Sequence, residues 1–327
     1  MWLKFRMYIL TLVMFAILYA VIVGVGTWMG VGSALFYLIA AILVVGIQYL
    51  ISPFIVGLTM RIRWVTAAEE PKLQAMIADL ADRADLPMPK IGISEMTLPN
   101  AFAFGRSQRD GRVCVTRGIL SLLSDDELKA VLGHEMAHIK HRDMAIMTLL
   151  SVIPMILYWV ALNTMWGGML GGDNRDSKSG GGNASIVIGI IAFILYFVTN
   201  LLVLYGSRIR EYYADKASVQ LGNQPHLLAS ALYKLAAGDA RLKGQPEMKR
   251  ASAVKAFFIN DPSQAWNEVR EIAQIDENHD GRISQDDLMA LRQKNIKVGF
   301  WGKVGELFMT HPNMLKRIHT LSTYYAS

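Results

Sequence analysis

One cysteine, Cys114, is all that 327 residues contain. A single thiol excludes an intrachain disulfide and suits a reducing compartment. Cys114 lies in a strand-like run with no paired base evident, so it reads as a small apolar residue rather than a nucleophile. Charge is also scarce, at 18% of residues, and is absent from Met7 to Met60, Met144 to Gly172 and Ser179 to Ser207. The net charge of +6 comes mostly from the flanks of these apolar stretches. No basic run with interleaved aromatics occurs, so nothing points to nucleic acid.

The charge-free stretches set the organisation. A helical span needs about 20 apolar residues. The first stretch holds two spans broken at Gly30-Val31-Gly32-Ser33, and the others hold one each, near 146–168 and 185–205. Four transmembrane helices in two hairpins are expected. Lys4, Arg6, Arg61 and Arg63 flank the first hairpin, and Lys140, Arg142, Arg208 and Arg210 flank the second. Basic flanks face the cytoplasm, which places both termini and the domain between the hairpins there, in a multi-pass inner-membrane protein. The first stretch is too long for a secretion signal and lacks a small-residue cleavage site, so it reads as an anchor. The expected segments are a hairpin at 1–63, a first catalytic part at 64–145, a second hairpin at 146–207, a second catalytic part at 208–262, an insertion at 263–305 and a closing part at 306–327.

The chemistry is carried by His134-Glu135-Met136-Ala137-His138. Histidines four apart on a helix sit ~40° apart around its axis, so both imidazoles can reach one zinc ion. Glu135 is then placed to take a proton from a water held there. Ser124-Asp125-Asp126-Glu127 ahead of the motif reads as a capping box, and Leu128, Val131 and Leu132 follow at helical spacing. The competing reading is a helix with two solvated histidines. A catalytic zinc needs a third ligand, and Glu211 supplies a candidate, with Asp215 one turn on to hydrogen-bond a ligand histidine. Taken alone, these acids read rather as surface partners of Arg208 or Arg210, and beside the His-Glu-x-x-His helix the ligand reading wins.

Residues 64–90 read as a helix ended by Pro87 and Pro89. Lys90–Ile93, Ala101–Gly105 and Arg112–Thr116 read as strands, with a hairpin turn at Gln108-Arg109-Asp110-Gly111. A rim strand can hold an extended substrate by adding it to the sheet, or serve as ordinary sheet structure. His311 and Arg317 can stabilise a negatively charged oxygen, although spacing alone makes His311 a surface residue. His141, His226 and His319 carry no such signal.

Together these residues resemble the HtpX family of membrane zinc metalloproteases, related to the CAAX prenyl endoproteases. The resemblance runs through the hydrophobic hairpin, Pro99-Asn100-Ala101-Phe102-Ala103-Phe104-Gly105, the His-Glu-x-x-His motif, the second hairpin, Arg210-Glu211-Tyr212-Tyr213-Ala214-Asp215 and Thr310-His311-Pro312. It implies an α-helical membrane protein with an α+β, gluzincin-like protease domain. It implies His134, His138 and Glu211 as zinc ligands and Glu135 as general base. It also implies Asn100, Ala101, Phe102 and Ala103 as substrate-binding and His311 and Arg317 as transition-state contacts. The implied activity is hydrolysis of misfolded or damaged membrane proteins at the cytoplasmic face, as part of a stress response.

The insertion departs from that pattern. Asp276 to Asp287 reads as an EF-hand calcium loop, with Asp276, Asn278, Asp280, Ser284 and Asp287 as oxygen donors, Arg282 by its backbone, Gly281 at the turn and Ile283 at the apolar position. Asp287 stands where glutamate is usual, which weakens calcium or favours magnesium. An Asp-Gly turn between helices is the alternative. Three rival functions remain. A CAAX-type prenyl protease needs more spans, and site-2-type proteolysis needs the motif inside an apolar span. A calcium-responsive scaffold with an inactive core sits poorly with an intact set of ligands.

Overall fold

The computed structural model describes residues 5–7, 9–14, 16–17, 20–21, 34–170, 181–242, 258–259, 265–273, 275–276, 278–293 and 305–326. They form two units, one drawn from Met1–Leu50 and Ile146–Gly206, the other from Ile51–Ala145 and Ser207–Ser327.

The first unit is helical. It holds α1 (Phe5–Met14) and the larger parts of α2 (Ala34–Thr59), α6 (Asp143–Leu170) and α7 (Gly181–Gln220). Among the described residues, two helical stretches are long and apolar enough to cross a membrane, Asp143–Met165 and Ser185–Gln220. Leu10, Met14, Leu150, Ile153 and Leu157 form its buried core. Leu12, Trp159 and Ile194 stay exposed, a surface that bilayer tolerates and water does not. Arg6 donates to the Tyr205 hydroxyl with its Nε 2.6 Å away. The expected break at Gly30–Ser33 lies outside the described residues.

The second unit is built on a four-stranded sheet in the order β1-β2-β4-β3. Its strands are β1 (Ile62–Trp64), β2 (Lys90–Ser94), β3 (Ala101–Phe104) and β4 (Arg112–Thr116). β2 and β4 run parallel, in register from Lys90 with Arg112 to Ser94 with Thr116. β1 and β3 pair antiparallel on the outside, β3 with β4. The three expected strands are present. The expected helix over 64–90 is shorter: α3 covers Pro71–Ala84, and Trp64 belongs to β1. Pro71 starts α3 at a position where its missing N–H costs nothing. Asp85, at φ 54°, ends it before either proline is reached. The loop between β3 and β4 is closed by a 3₁₀ turn at Gln108–Asp110 rather than a tight two-residue turn.

α4 (Arg117–Leu122) follows β4 directly, capped by the Thr116 hydroxyl, which accepts from Ile119 N. Then come α5 (Asp125–Lys140) and α8 (Pro225–Arg241). Ile77, Leu80, Ile93, Val115, Leu132 and Leu232 interlock in the core between sheet and helices. Burial of each such side chain contributes about 1.5–3 kcal/mol. The helices expected around the insertion's loop are present as α9 (Ala265–Ile272) and α10 (Gln285–Gln293), and α11 (Met314–Ser322) closes the unit.

Candidate metal centre

The helix that carries the histidines is fixed at its start. The Ser124 hydroxyl accepts from Glu127 N at 3.4 Å, and the Glu127 carboxylate accepts from Ser124 N at 2.9 Å, completing the expected capping box. Glu127 is buried and also accepts from Ser230 Oγ at 2.7 Å and Lys234 Nζ at 2.8 Å, both on α8.

Small residues then bring α5 and α7 together. A β-carbon on Gly133 would lie 2.3 Å from Asn223 Nδ2 and 2.9 Å from Ser218 Oγ. The Ser218 hydroxyl donates to Ala130 O at 2.6 Å. Ala137, Ala214 and Ala217 form a buried cluster of their own. Sequence reasoning missed this seam. Its signal was the four-residue spacing of Gly133 with Ala137 and of Ala214 with Ser218.

The seam places His134, His138 and Glu211 around one point. The two Nε2 atoms are 3.1 Å apart. Glu211 Oε2 is 3.4 Å from His134 Nε2, and its Oε1 is 3.6 Å from His138 Nε2. Two tetrahedral ligands of one zinc stand about 3.4 Å apart, so the spacing fits that ion. His134, Glu135 and His138 also stand at metal-ligand spacing from one another. Charge fits as well. Glu135, Glu211, Asp143 and Asp215 bring four buried carboxyl groups close to the histidines, and a dication would offset part of their charge.

Burial opposes a charged His134 imidazole, but the carboxylates of Asp215 and Glu211 beside it outweigh burial and raise the pKa to about 9. His138 goes down to about 4, through burial first and the charge of His134 second. Burial raises the Glu135 carboxyl above its usual range, against the pull of both histidines and a hydrogen bond from the Ala103 backbone. Cys114 is buried and its thiol is pushed up by desolvation, which suits its apolar reading.

The other expected residues divide. Asp215 does back a histidine, with its Oδ1 2.9 Å from His134 Nδ1. Arg208 and Arg210 are not its partners: Arg208 donates to the carbonyls of Leu307 and Met309, and Arg210 pairs with Asp143. His311 is 8% exposed rather than a surface residue. Arg317 is buried and braces the acids behind the histidines. Its Nε and Nη2 donate to Asp215, and its Nη1 donates to Ile259 O and lies 3.2 Å from Glu211 Oε2. Asn100 is buried, and its Oδ1 accepts from Ile259 N at 3.2 Å. Ala101, Phe102 and Ala103 lie on β3 at the end of the sheet order, against α5.

In the insertion, Asp276 accepts from Asp280 N and Gly281 N, Asn278 from Asp280 N, and Asp280 from Arg282 N. Asp287 Oδ2 accepts from Ser284 N and Oγ, capping α10. The carboxylates of Asp276, Asp280 and Asp287 thus accept from the loop's own backbone.

A buried and a half-buried histidine with a glutamate between them and a second acid facing both, set against the last strand of a sheet, define a metallopeptidase. The chain belongs to peptidase family M48, whose profile matches residues 67–325. It is 50% identical over 249 residues to the Protease HtpX homolog of Methanothermobacter thermautotrophicus, covering 76% of this chain and 92% of that one. It is 32% identical over 312 residues to the Protease HtpX homolog of Aeropyrum pernix, covering 93% and 92%. It is similar in fold to the crystal structure of S. mikatae Ste24p, with a TM-score of 0.54 at 16% identity, over 97% of this chain and 65% of that one. The protein is a membrane metalloprotease.

Proposed function

We propose that the protein is a zinc endopeptidase that cleaves unfolded segments of misfolded or damaged membrane proteins at the cytoplasmic face. The observation that carries this is the convergence of His134 Nε2, His138 Nε2 and Glu211 on one point beside Glu135. Zinc held there by these three ligands supplies Lewis acidity to water and to the scissile carbonyl. Glu135 takes the proton of the attacking water and passes it to the leaving amine, a task suited to a carboxyl raised by burial. β3 receives the substrate as an added strand. His311 stabilises the oxygen that becomes negative, and Asn100 fixes the entry to β3 by holding Ile259.

In this reading four helices span the bilayer as two hairpins, with both termini and the metal centre in the cytoplasm. The basic flanks and the two long apolar stretches support it. Detergent-purified protein is expected to cleave casein, while Glu135→Ala is inert, with about one zinc in each. Zinc in neither protein would overturn the reading. Cleavage by both would remove Glu135 as base.

The loop from Asp276 to Asp287 is proposed as a weak divalent-cation site. Gly281 at φ 77° and buried Ile283 support it. Glu271, next to the end of α9, accepts from Asn313 Nδ2 at 3.0 Å, and Asn313 caps the helix that carries Arg317. That contact is a route from loop to brace. Equal peptidase rates with calcium and with a calcium chelator would dispose of a regulatory role.

A further inference from the structure

We infer that Asp143, backed by Arg210, is the positioning residue for His138. His138 Nδ1 lies 2.7 Å from Asp143 Oδ2. The Arg210 guanidinium forms an ion pair with the other oxygen, Asp143 Oδ1. Asp143 and Arg210 are each 5% exposed. Asp143 is the first residue of α6, and Arg210 immediately precedes Glu211 on α7.

The same chain of groups stands behind the other histidine, where Asp215 faces His134 Nδ1 and Arg317 faces Asp215. Each imidazole therefore has a carboxylate on its outer nitrogen and a guanidinium behind that carboxylate. Two such chains are needed because the rings stand at 85° to one another with centroids 4.8 Å apart, so no single acceptor can orient both. The carboxylate accepts the Nδ1–H, which fixes the tautomer with the lone pair on Nε2 and sets the plane of the ring. Arg210 supplies the counter-charge without which a buried Asp143 is costly.

The inference rests on the zinc-site reading, and its test separates the two. The full-length protein in detergent is stripped of metal and titrated with zinc against a chelator. Melting of the metal-free form serves as the folding control, and visible spectra of the cobalt-loaded form report ligand geometry. Asp143→Ala is expected to weaken zinc binding by about 10–100-fold and to shift the cobalt bands. Asp143→Asn restores part of the affinity, because its amide oxygen still accepts from Nδ1. Arg210→Gln weakens binding in the same direction. If Asp143→Ala does not fold, Asp143→Asn and Arg210→Gln decide: zinc affinity within twofold of wild type for both overturns the inference. Unchanged affinity and spectra in a folded Asp143→Ala overturn it directly. Failure of the wild type itself to bind zinc would instead remove the zinc-site reading.

Discussion

Arg317 and Asp215, 102 residues apart in the chain, meet through two hydrogen bonds of 2.9 and 2.7 Å from one face of the guanidinium. The same group lies 3.2 Å from Glu211, so a single buried cation holds a proposed metal ligand and the partner of another.

Loss of that cation leaves two buried carboxylates short of their counter-charge. Arg317→Gln is expected to cost about 3–5 kcal/mol and to weaken zinc binding. Arg317→Lys recovers little, since an ammonium cannot form the fork. Thermal melting in detergent with chelator titration measures both. A melting point and zinc affinity equal to wild type would sink the brace.

Gly133→Ala tests the seam between the ligand helices. Its new methyl would press on Asn223 and Ser218, both tied by hydrogen bonds. The expected cost is about 1–3 kcal/mol, with a drop in zinc affinity as α5 and α7 move apart. The same substitution at Gly46, where nothing lies within 4 Å, serves as the control. Equal behaviour of the two variants would contradict the close approach.

Glu127 sets a pH dependence. Burial raises its pKa, but hydrogen bonds from Lys234, Ser124 and Ser230 outweigh burial and hold it below 4.5. A carboxyl depressed on folding stabilises the protein above its unfolded pKa, and the benefit is lost as pH falls through the folded value. Glu127→Gln is therefore expected to melt lower at neutral pH and to show a flatter decline below about pH 4.5. Melting curves that stay parallel from neutral to acid pH would count against this account.

Glu135→Gln keeps the size of the side chain and removes the base. Peptidase activity should fall on the order of 10²–10⁴-fold with zinc content unchanged. Chelator treatment of the wild type should abolish cleavage, and added zinc should restore it. Activity that survives metal removal would refute a metal-dependent mechanism.

Much of the site is legible because its rules are local. The capping box, the four-residue spacing of His134 with His138 and of Glu211 with Asp215, and the strand patterns all act within one element. What was not legible depends on which elements meet. Arg210 flanks an apolar stretch and reads as a topology signal, and Asp143 carries no signal in the sequence, yet the two pair beside His138. Spacing likewise cannot show that Arg317 sits against Asp215 and Glu211. The helix over 64–90 was overextended because the αL turn at Asp85 and the pairing of Trp64 with Gly92 depend on the sheet.

β3 takes its hydrogen bonds from β4 on one side and ends the sheet order on the other. A segment joining it there must arrive with its own backbone groups unpaired. The proposed enzyme then reads how far a target has come undone rather than which side chains it carries. The cost of local opening enters the cleavage rate directly, so a segment protected by about 4 kcal/mol is cut roughly a thousandfold more slowly than the same sequence released. Selectivity of this kind needs no recognition motif: the target's own stability is the gate.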